Sequence, residues 1–513
     1  MYGTKFIILP KIKNMRFLSI IFAIVFVNFS FSQQWKEMAN NIDVNVYDVV
    51  AEAESYFKNI DKSKKGSGWK AYNRWLYENE PKFYPSGDRN TVESNFSAKE
   101  FKNFISNNPP LKKSLFDDGW EELGPHYIEE VTGHYAVGLG RIESFYIDPN
   151  NENRIFLGSR SGGFWKTLDG GATWENTTDF LFASGVNTIA VSPDDPERIL
   201  INVRNSYNGT THGIFESFDG GNHWSRTNFN PDNLNWGGLG TNNRIYKIMY
   251  HPTIPNLVLA GTSEGIFRSE NNFESYSLSQ TGSSWEFNQD YDYIEFHPTD
   301  PNIIYASTFN QDSRIYVSYD TGLTFSQSGP LQTGIINGGN NSNIQLSVSS
   351  ACENCVFVGT SDGIWKSENL GENFTFISDP EIDNYGAFSV SDTDVNYMIF
   401  GDIDTHRSTD GGQTWNQVTY WSTGDANYNT TGQYVHADIR GAKSYNGVFW
   451  VNTDGLLAKS ADNGITWEIF EGQSIRENYC LGASQSNHFR SIAGSQDNGT
   501  SIKNENSWIE FYG

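Results

Sequence analysis

Short runs of alternating apolar and polar residues cover most of this chain, and turn residues separate them. Residues 344–348 alternate and predict a first strand. A turn at 349–354 leads to a second strand at 356–359. Ser361-Asp362-Gly363 then makes a tight hairpin before a third strand at 364–366. A period of two places one face of each strand in a core. An eight-residue phrase follows, and its closing aromatic begins a fourth strand. Ser408-Thr-Asp410-Gly-Gly412-Gln-Thr414-Trp415 is the cleanest copy. The eight copies start at 167, 217, 269, 318, 367, 408, 460 and 501, a period near fifty; those at 269, 367 and 501 keep only a first hydroxyl and a last aromatic. Self-similarity at this spacing predicts one supersecondary unit used many times. Four-stranded units repeated in this way predict an all-β fold, a β-propeller of seven to eight blades. Asp148-Pro149, Ser192-Pro193, His251-Pro252 and His297-Pro298 mark the turns between first and second strands.

The pattern changes ahead of the repeats. Tyr47, Val50, Ala51, Phe57 and Ile60 fall on one helical face. A second helix is predicted over 69–80, stopping before Pro81, and a third from Ser97 to about residue 106. Residues 62–68 read as a linker. At the start, Arg16 precedes an apolar run at 17–29, and Ser30-Phe31-Ser32 offers small residues before Gln33, the layout of an export signal. Met15 offers an alternative start, and an uncleaved anchor is the rival reading. The predicted organisation is a signal peptide over 1–32, a helical region over 33–115 and a propeller over 116–513. No later segment has the length and apolarity to span a membrane. Residues 120–124 read as a fourth strand with no partners before it. The chain ends with a strand, which reads as a piece of a longer protein, its ring either closed or still open.

Composition narrows the function. A formal charge of −25 argues against a nucleic-acid partner, which needs a basic surface. Hydrophobic residues are only 37% while aromatics reach 15%, as expected of many short strands packed by rings. The 3 cysteines do not make a disulfide framework. Cys352 and Cys355 supply half a zinc site at most, so a local disulfide or two thiols is expected. Cys480 reads as core. No cofactor or metal is expected, and the oligomeric state is left open.

The phrase has a mechanical reading. Its hydroxyl and carboxylate bond to nearby N–H groups and close a turn, and glycine at the fifth position permits positive φ. Asp169, Asp219, Asp320, Asp410 and Asp462 are therefore structural. In a four-stranded blade these turns mark one face of the disc, so a ligand would meet the other. That face carries the hairpin turns with Arg160, His212, Glu264, Asp362, Asp404 and Asp454. It also carries the loops between blades, with Trp236, Trp285, Trp421 and Tyr428. Rings stack on sugar faces and acids accept from hydroxyls, which suits a glycan; good hairpin chemistry explains the Asp-Gly turns equally well. His436, Asp438 and Arg440 alternate in a predicted first strand and would share a face on the channel, and Asp402, Asp404 and His406 do likewise one unit earlier. Both sets read either as a ligand site or as a polar brace between blades.

The phrase resembles the Asp-box, or bacterial neuraminidase repeat. From residue 120 onward the chain is similar to exported bacterial Asp-box propellers related to sortilin and to xyloglucan-degrading glycoside hydrolases. Gly140-Arg-Ile142 and residues 158–174 carry that likeness, and residues 66–87 resemble the N-terminal extension of such secreted proteins, which often carry a type IX secretion sorting domain. The resemblance implies a secreted or cell-surface location. In the xyloglucan enzymes a catalytic Asp sits in the first blade; here Arg160 stands in its place. Arg141 stands near the arginine of the sialidase Arg-Ile-Pro, with Glu143 replacing the proline, and is a ligand-binding candidate on that likeness. The first reading is a non-catalytic binding module for a glycan or protein. The alternative is a glycoside hydrolase drawing its acids from Glu264, Asp362, Asp404, Asp438 and Asp454. A sortilin-like, peptide-gripping sorting factor is a third.

Overall fold

The computed structural model describes residues 34–90, 103, 122–127, 130–131, 138–181, 185–233, 244–281, 290–309, 314–328, 344–360, 363–380, 387–422, 424–429, 431–487, 489–505 and 507–511. The signal peptide, the predicted helix over 97–106 apart from the helical residue 103, and Asp362, Trp236 and Trp285 lie outside the described residues. The chain divides into two compact units, one up to Lys113 and one from Ser114.

Among the described residues the first unit holds the helices Gln34–Asn40, Val46–Phe57 and Trp69–Phe83. Asn45 caps the second, accepting from the Tyr47 N–H at 2.9 Å. The buried face of that helix is Val46, Val49, Ala53 and Phe57, one position away from the predicted stripe, and Tyr47 is exposed. Trp35, Phe57, Trp69 and Tyr72 stack into a small aromatic core. The third helix continues past Pro81, which sits inside its last turn.

The second unit is all β. Among the described residues it contains eight four-stranded antiparallel sheets, each in simple meander order, and two of them gain a two-residue parallel strand. The first strands of the first seven sheets pack on one another in sequence. The ring then closes: Ile439–Tyr445 of the seventh sheet packs on Ile142–Asp148 of the first. Trp450, Leu457 and Phe470 share one core with Ile142, Ile155 and Trp165. The Asn452 side chain donates to the Ile142 carbonyl at 2.7 Å across that junction. These are the sheets of a β-propeller, closed on seven blades.

The eighth sheet, from Asn478–Ala483 to Ser507–Phe511, is no part of that junction. Its first strand is exposed along its length, with Leu481 at 70%. Cys480 is therefore exposed rather than core. Residues 122–125 form no strand; the short strand Glu130–Val131 instead pairs in parallel with Ser507–Phe511.

The eight-residue turns work as hydroxyl–carboxylate knots. The Ser or Thr hydroxyl donates to the Asp carboxylate at 2.7–2.8 Å in the copies holding Asp169, Asp219, Asp320, Asp410 and Asp462. The fifth-position N–H returns to that hydroxyl, as at Gly412 (2.9 Å), and the seventh residue caps the carboxylate, as Thr414 does. Asn271 and Asn369 fill the same role in the degenerate copies. Where the third copy lacks glycine at the fifth position, Phe273 adopts φ 65°. The copy at 501–508 is not such a turn: Ser501 and Trp508 lie inside paired strands. In each of six blades a main-chain bond ties this turn to the turn between first and second strands. Both turn families thus share one face, and the hairpins between second and third strands lie on the other. Cys352 and Cys355 form a local disulfide.

Candidate functional site

Polar side chains converge where the first strands begin, at the hairpin-turn end of the hub. A bulge recurs there. Pairing jumps from Ile142 to Ser144, from Ile245 to Lys247 and from Ile439 to Gly441, leaving Glu143, Tyr246 and Arg440 as extra residues. A bulge re-aims the side chain it adds, and Glu143 and Arg440 become the two centres of the site.

Glu143 lies among three guanidinium groups. Arg141 Nε and Arg204 Nη2 each stand 2.8 Å from its Oε1, and Arg160 Nη1 stands at 3.7 Å. Burial pulls its carboxyl up, but Arg204, Arg141 and Arg160 together overcome this and hold it below the usual range. Arg160 also reaches Glu477 at 3.6 Å. On the neighbouring side Arg440 grips Asp454 with two bonds, Nε to Oδ1 at 2.8 Å and Nη2 to Oδ2 at 2.6 Å. Nη2 also meets Asp438 at 3.2 Å. Arg141 links the two centres, standing 3.4 Å from Asp454. Burial raises the Asp454 carboxyl, and Arg440 and Arg141 bring it below the ordinary value. Planar, always-charged guanidinium groups are suited to such paired geometry.

The structure thus brings together Arg141, Arg160, His436, Asp438, Arg440 and Asp454. His436, Asp438 and Arg440 do not share the strand face expected of them. The strand begins at Ile439, Asp438 takes a left-handed φ of 63°, and Arg440 is a bulge residue. No simple alternation relates the three. Nor do Asp402, Asp404 and His406 share a strand face, since the first two form a hairpin turn between Met398–Gly401 and Thr405–Ser408. His212 lies in the strand Thr211–Ser217, not in a turn. Glu264 lies in the third blade's hairpin, its carboxyl raised by burial. Arg204 and Glu477 carry no signal in the sequence; Glu143 is noted there only as the residue in place of the sialidase proline, since the bulge that aims it has no residue signature, and Asp497 only as part of the hairpin turn 496–499, which reads either as a holder of an ion or ligand or as a turn alone.

A second cluster surrounds Asp404. Its Oδ1 accepts the Trp421 main-chain N–H at 2.8 Å, and its Oδ2 accepts from Gln417 at 3.1 Å. Burial, with added repulsion from Asp402 and Asp425, pushes its carboxyl up to about 7, against the pull of the Trp421 N–H. The Trp421 ring is partly exposed, at 37%. Tyr420 and Tyr428 meet edge to face beside it, with centroids 6.4 Å apart. The Asp438 N–H bonds to the Ile403 carbonyl at 3.1 Å, so this turn adjoins the hub cluster.

Fold and site define a β-propeller with a charged hub mouth and an aromatic flank. No family model matches the chain. Over 84 residues, 16% of the chain, it is 33% identical to the xyloglucanase of Hypocrea jecorina (strain QM6a), of which that stretch is 9%. Among solved structures it is similar to an ancestral GH74 enzyme (TM-score 0.54, 16% identity, 76% of this chain and 56% of that one). It is also similar to the GH74 xyloglucanase of Xanthomonas campestris (TM-score 0.52, 15% identity, 71% and 60%). At these identities the likeness is one of fold. The chain spans less than two thirds of the length of each of these proteins.

Proposed function

We propose that this chain is an exported module that binds a neutral glycan on the hairpin-turn face of its propeller. The observation that carries the reading is the state of the hub carboxylates. Glu143 and Asp454 are tied to arginines and held ionised, so they offer fixed acceptors beside fixed guanidinium donors. Such an array suits sugar hydroxyls, and the partly exposed ring of Trp421 offers a stacking surface at its edge. The local likeness to a xyloglucanase makes xyloglucan the first ligand to try. The eight-residue turns are read here as Asp-boxes and residues 1–32 as the export signal. A glycan array and calorimetry against xyloglucan test the proposal. Trp421→Ala should weaken binding by roughly ten-fold, which is about 1.4 kcal/mol. Unchanged affinity in a folded variant removes the ring from the site.

One observation favours a glycoside hydrolase instead. Such enzymes need one protonated acid and one carboxylate across the bond, and Asp404 is held near neutral pH with Asp438 on the adjoining segment. Reducing-sugar release from xyloglucan, abolished in Asp404→Asn, would select this reading. Binding without release selects the first.

A further inference from the structure

We propose that the hub mouth carries a divalent-cation site formed by Asp438, Asp454 and Asp497, with the buried imidazole of His436 packed beside Asp454. The sequence offered no such set, because the three acids come from three places. Asp438 precedes the seventh blade, Asp454 lies in that blade's hairpin, and Asp497 lies in the hairpin of the eighth sheet. The fold brings one oxygen of each within 4.8 Å of the others. Two arginines reach this trio, and both bind Asp454, with Arg440 extending to Asp438. Among the described residues Asp497 makes no ion pair, and its Oδ2 accepts only from the neighbouring Gln496 amide. Arg440 and Arg141 offset the charge on Asp454 and Asp438 but not that on Asp497, which a cation among the three would offset.

His436 gives the second, independent observation. It is 1% exposed. Its Nδ1 lies 3.0 Å from the Ala437 carbonyl oxygen, which can only accept, so Nδ1 carries the proton. Nε2 is left with a lone pair, buried, and without a hydrogen-bond partner among the described residues. A histidine that donates one ring N–H to a main-chain carbonyl and presents the other nitrogen bare is in the form that metals bind. The ring lies against Gly455, next to Asp454, where a methyl group would collide with it. Asp454, Asp438 and Asp497 are the charges that act on it. Asn498 is also 1% exposed, and its side-chain oxygen has no partner among the described residues, while its amide nitrogen donates to the Asp454 carbonyl at 2.9 Å. An oxygen-rich set with one adjacent imidazole suits a hard divalent ion such as Ca²⁺ or Mn²⁺, with Nε2 reached through a coordinated water.

The test is calorimetric titration of the whole chain with CaCl₂ and, separately, MnCl₂. One of them should bind with Kd at or below about 1 mM, the range of extracellular modules. Asp438→Asn and Asp497→Asn keep shape and tolerate the left-handed φ at both positions. Each should weaken binding by about ten-fold or more while leaving metal-free unfolding unchanged. If a variant fails to fold, Mn²⁺ added to the wild type should selectively broaden the His436 ring resonances. No heat with either ion, wild-type affinity in the double variant, or an unbroadened His436 would each overturn the proposal.

Discussion

Asp404 is the residue where environment departs most from type. In an unfolded chain its carboxyl titrates near 3.8, and in the fold near 7. A raised value means the folded form favours the proton. Its stabilising contribution is full below the unfolded value and is lost as pH rises through the folded one. Wild type should therefore lose stability relative to Asp404→Asn as pH rises from about 4 to about 8. Melting both proteins across that range measures the gap, and a gap flat with pH would show that the group titrates ordinarily. Asp454, equally a hairpin aspartate, goes the other way because Arg440 meets it face on. Sequence marked both as hairpin acids and could not tell them apart. The difference lies in which arginine the neighbouring bulge supplies, and pairing register is not written in any single residue.

At the scale of the element, the eight-residue turn was legible because its bonds are local. Hydroxyl, carboxylate and receiving N–H groups all lie within eight positions, so the phrase states its own geometry. Asp410→Ala removes an acceptor used by Ser408, Gln413 and Thr414. It should cost about 1–2 kcal/mol in urea unfolding, as a lost cap does. Asp410→Asn should cost less than half of that, because Asn271 and Asn369 already serve in the same place. Equal losses would mean that the charge rather than the acceptor matters. These carboxylates are held below the ordinary value, with Asp219 near 2. Their contribution is present above the unfolded value near 3.8 and is lost as pH falls toward 2. The shared strand face expected over residues 435–440 is absent for the opposite reason. It requires an unbroken period of two, and Asp438 and Arg440 break it with a left-handed turn and a bulge. Tertiary pairing decided that, and the hub cluster that resulted was legible only as a list of polar candidates.

At the scale of the whole molecule, the repeat count and the blade count differ. Eight units were readable, but closure depends on which sheet the first one meets, and that is a long-range packing fact. Phe470 of the seventh blade packs against Gly171 of the first, leaving the eighth sheet outside the ring. Closure also sets the width of the hub, which one ion pair measures directly. Lys443 on the seventh blade meets Glu295 on the fourth, Nζ to Oε1 at 2.9 Å and to Oε2 at 2.7 Å, from nearly opposite sides of the ring. Both lie toward the turn face, away from the arginine cluster, so the pair crosses the channel behind the proposed binding mouth. Glu295 is 8% exposed and Lys443 is partly open to the channel, so the pair is less dry than a core pair and its loss costs less. Lys443→Met strands a buried carboxylate and should lower stability by about 1–3 kcal/mol. Adding Glu295→Gln removes the stranded charge and should restore at least half of that. Chemical unfolding of the two variants and the double variant gives the coupling. A double variant no more stable than Lys443→Met would mean the two side chains do not meet, and that the seven-bladed ring is wider than the one described here.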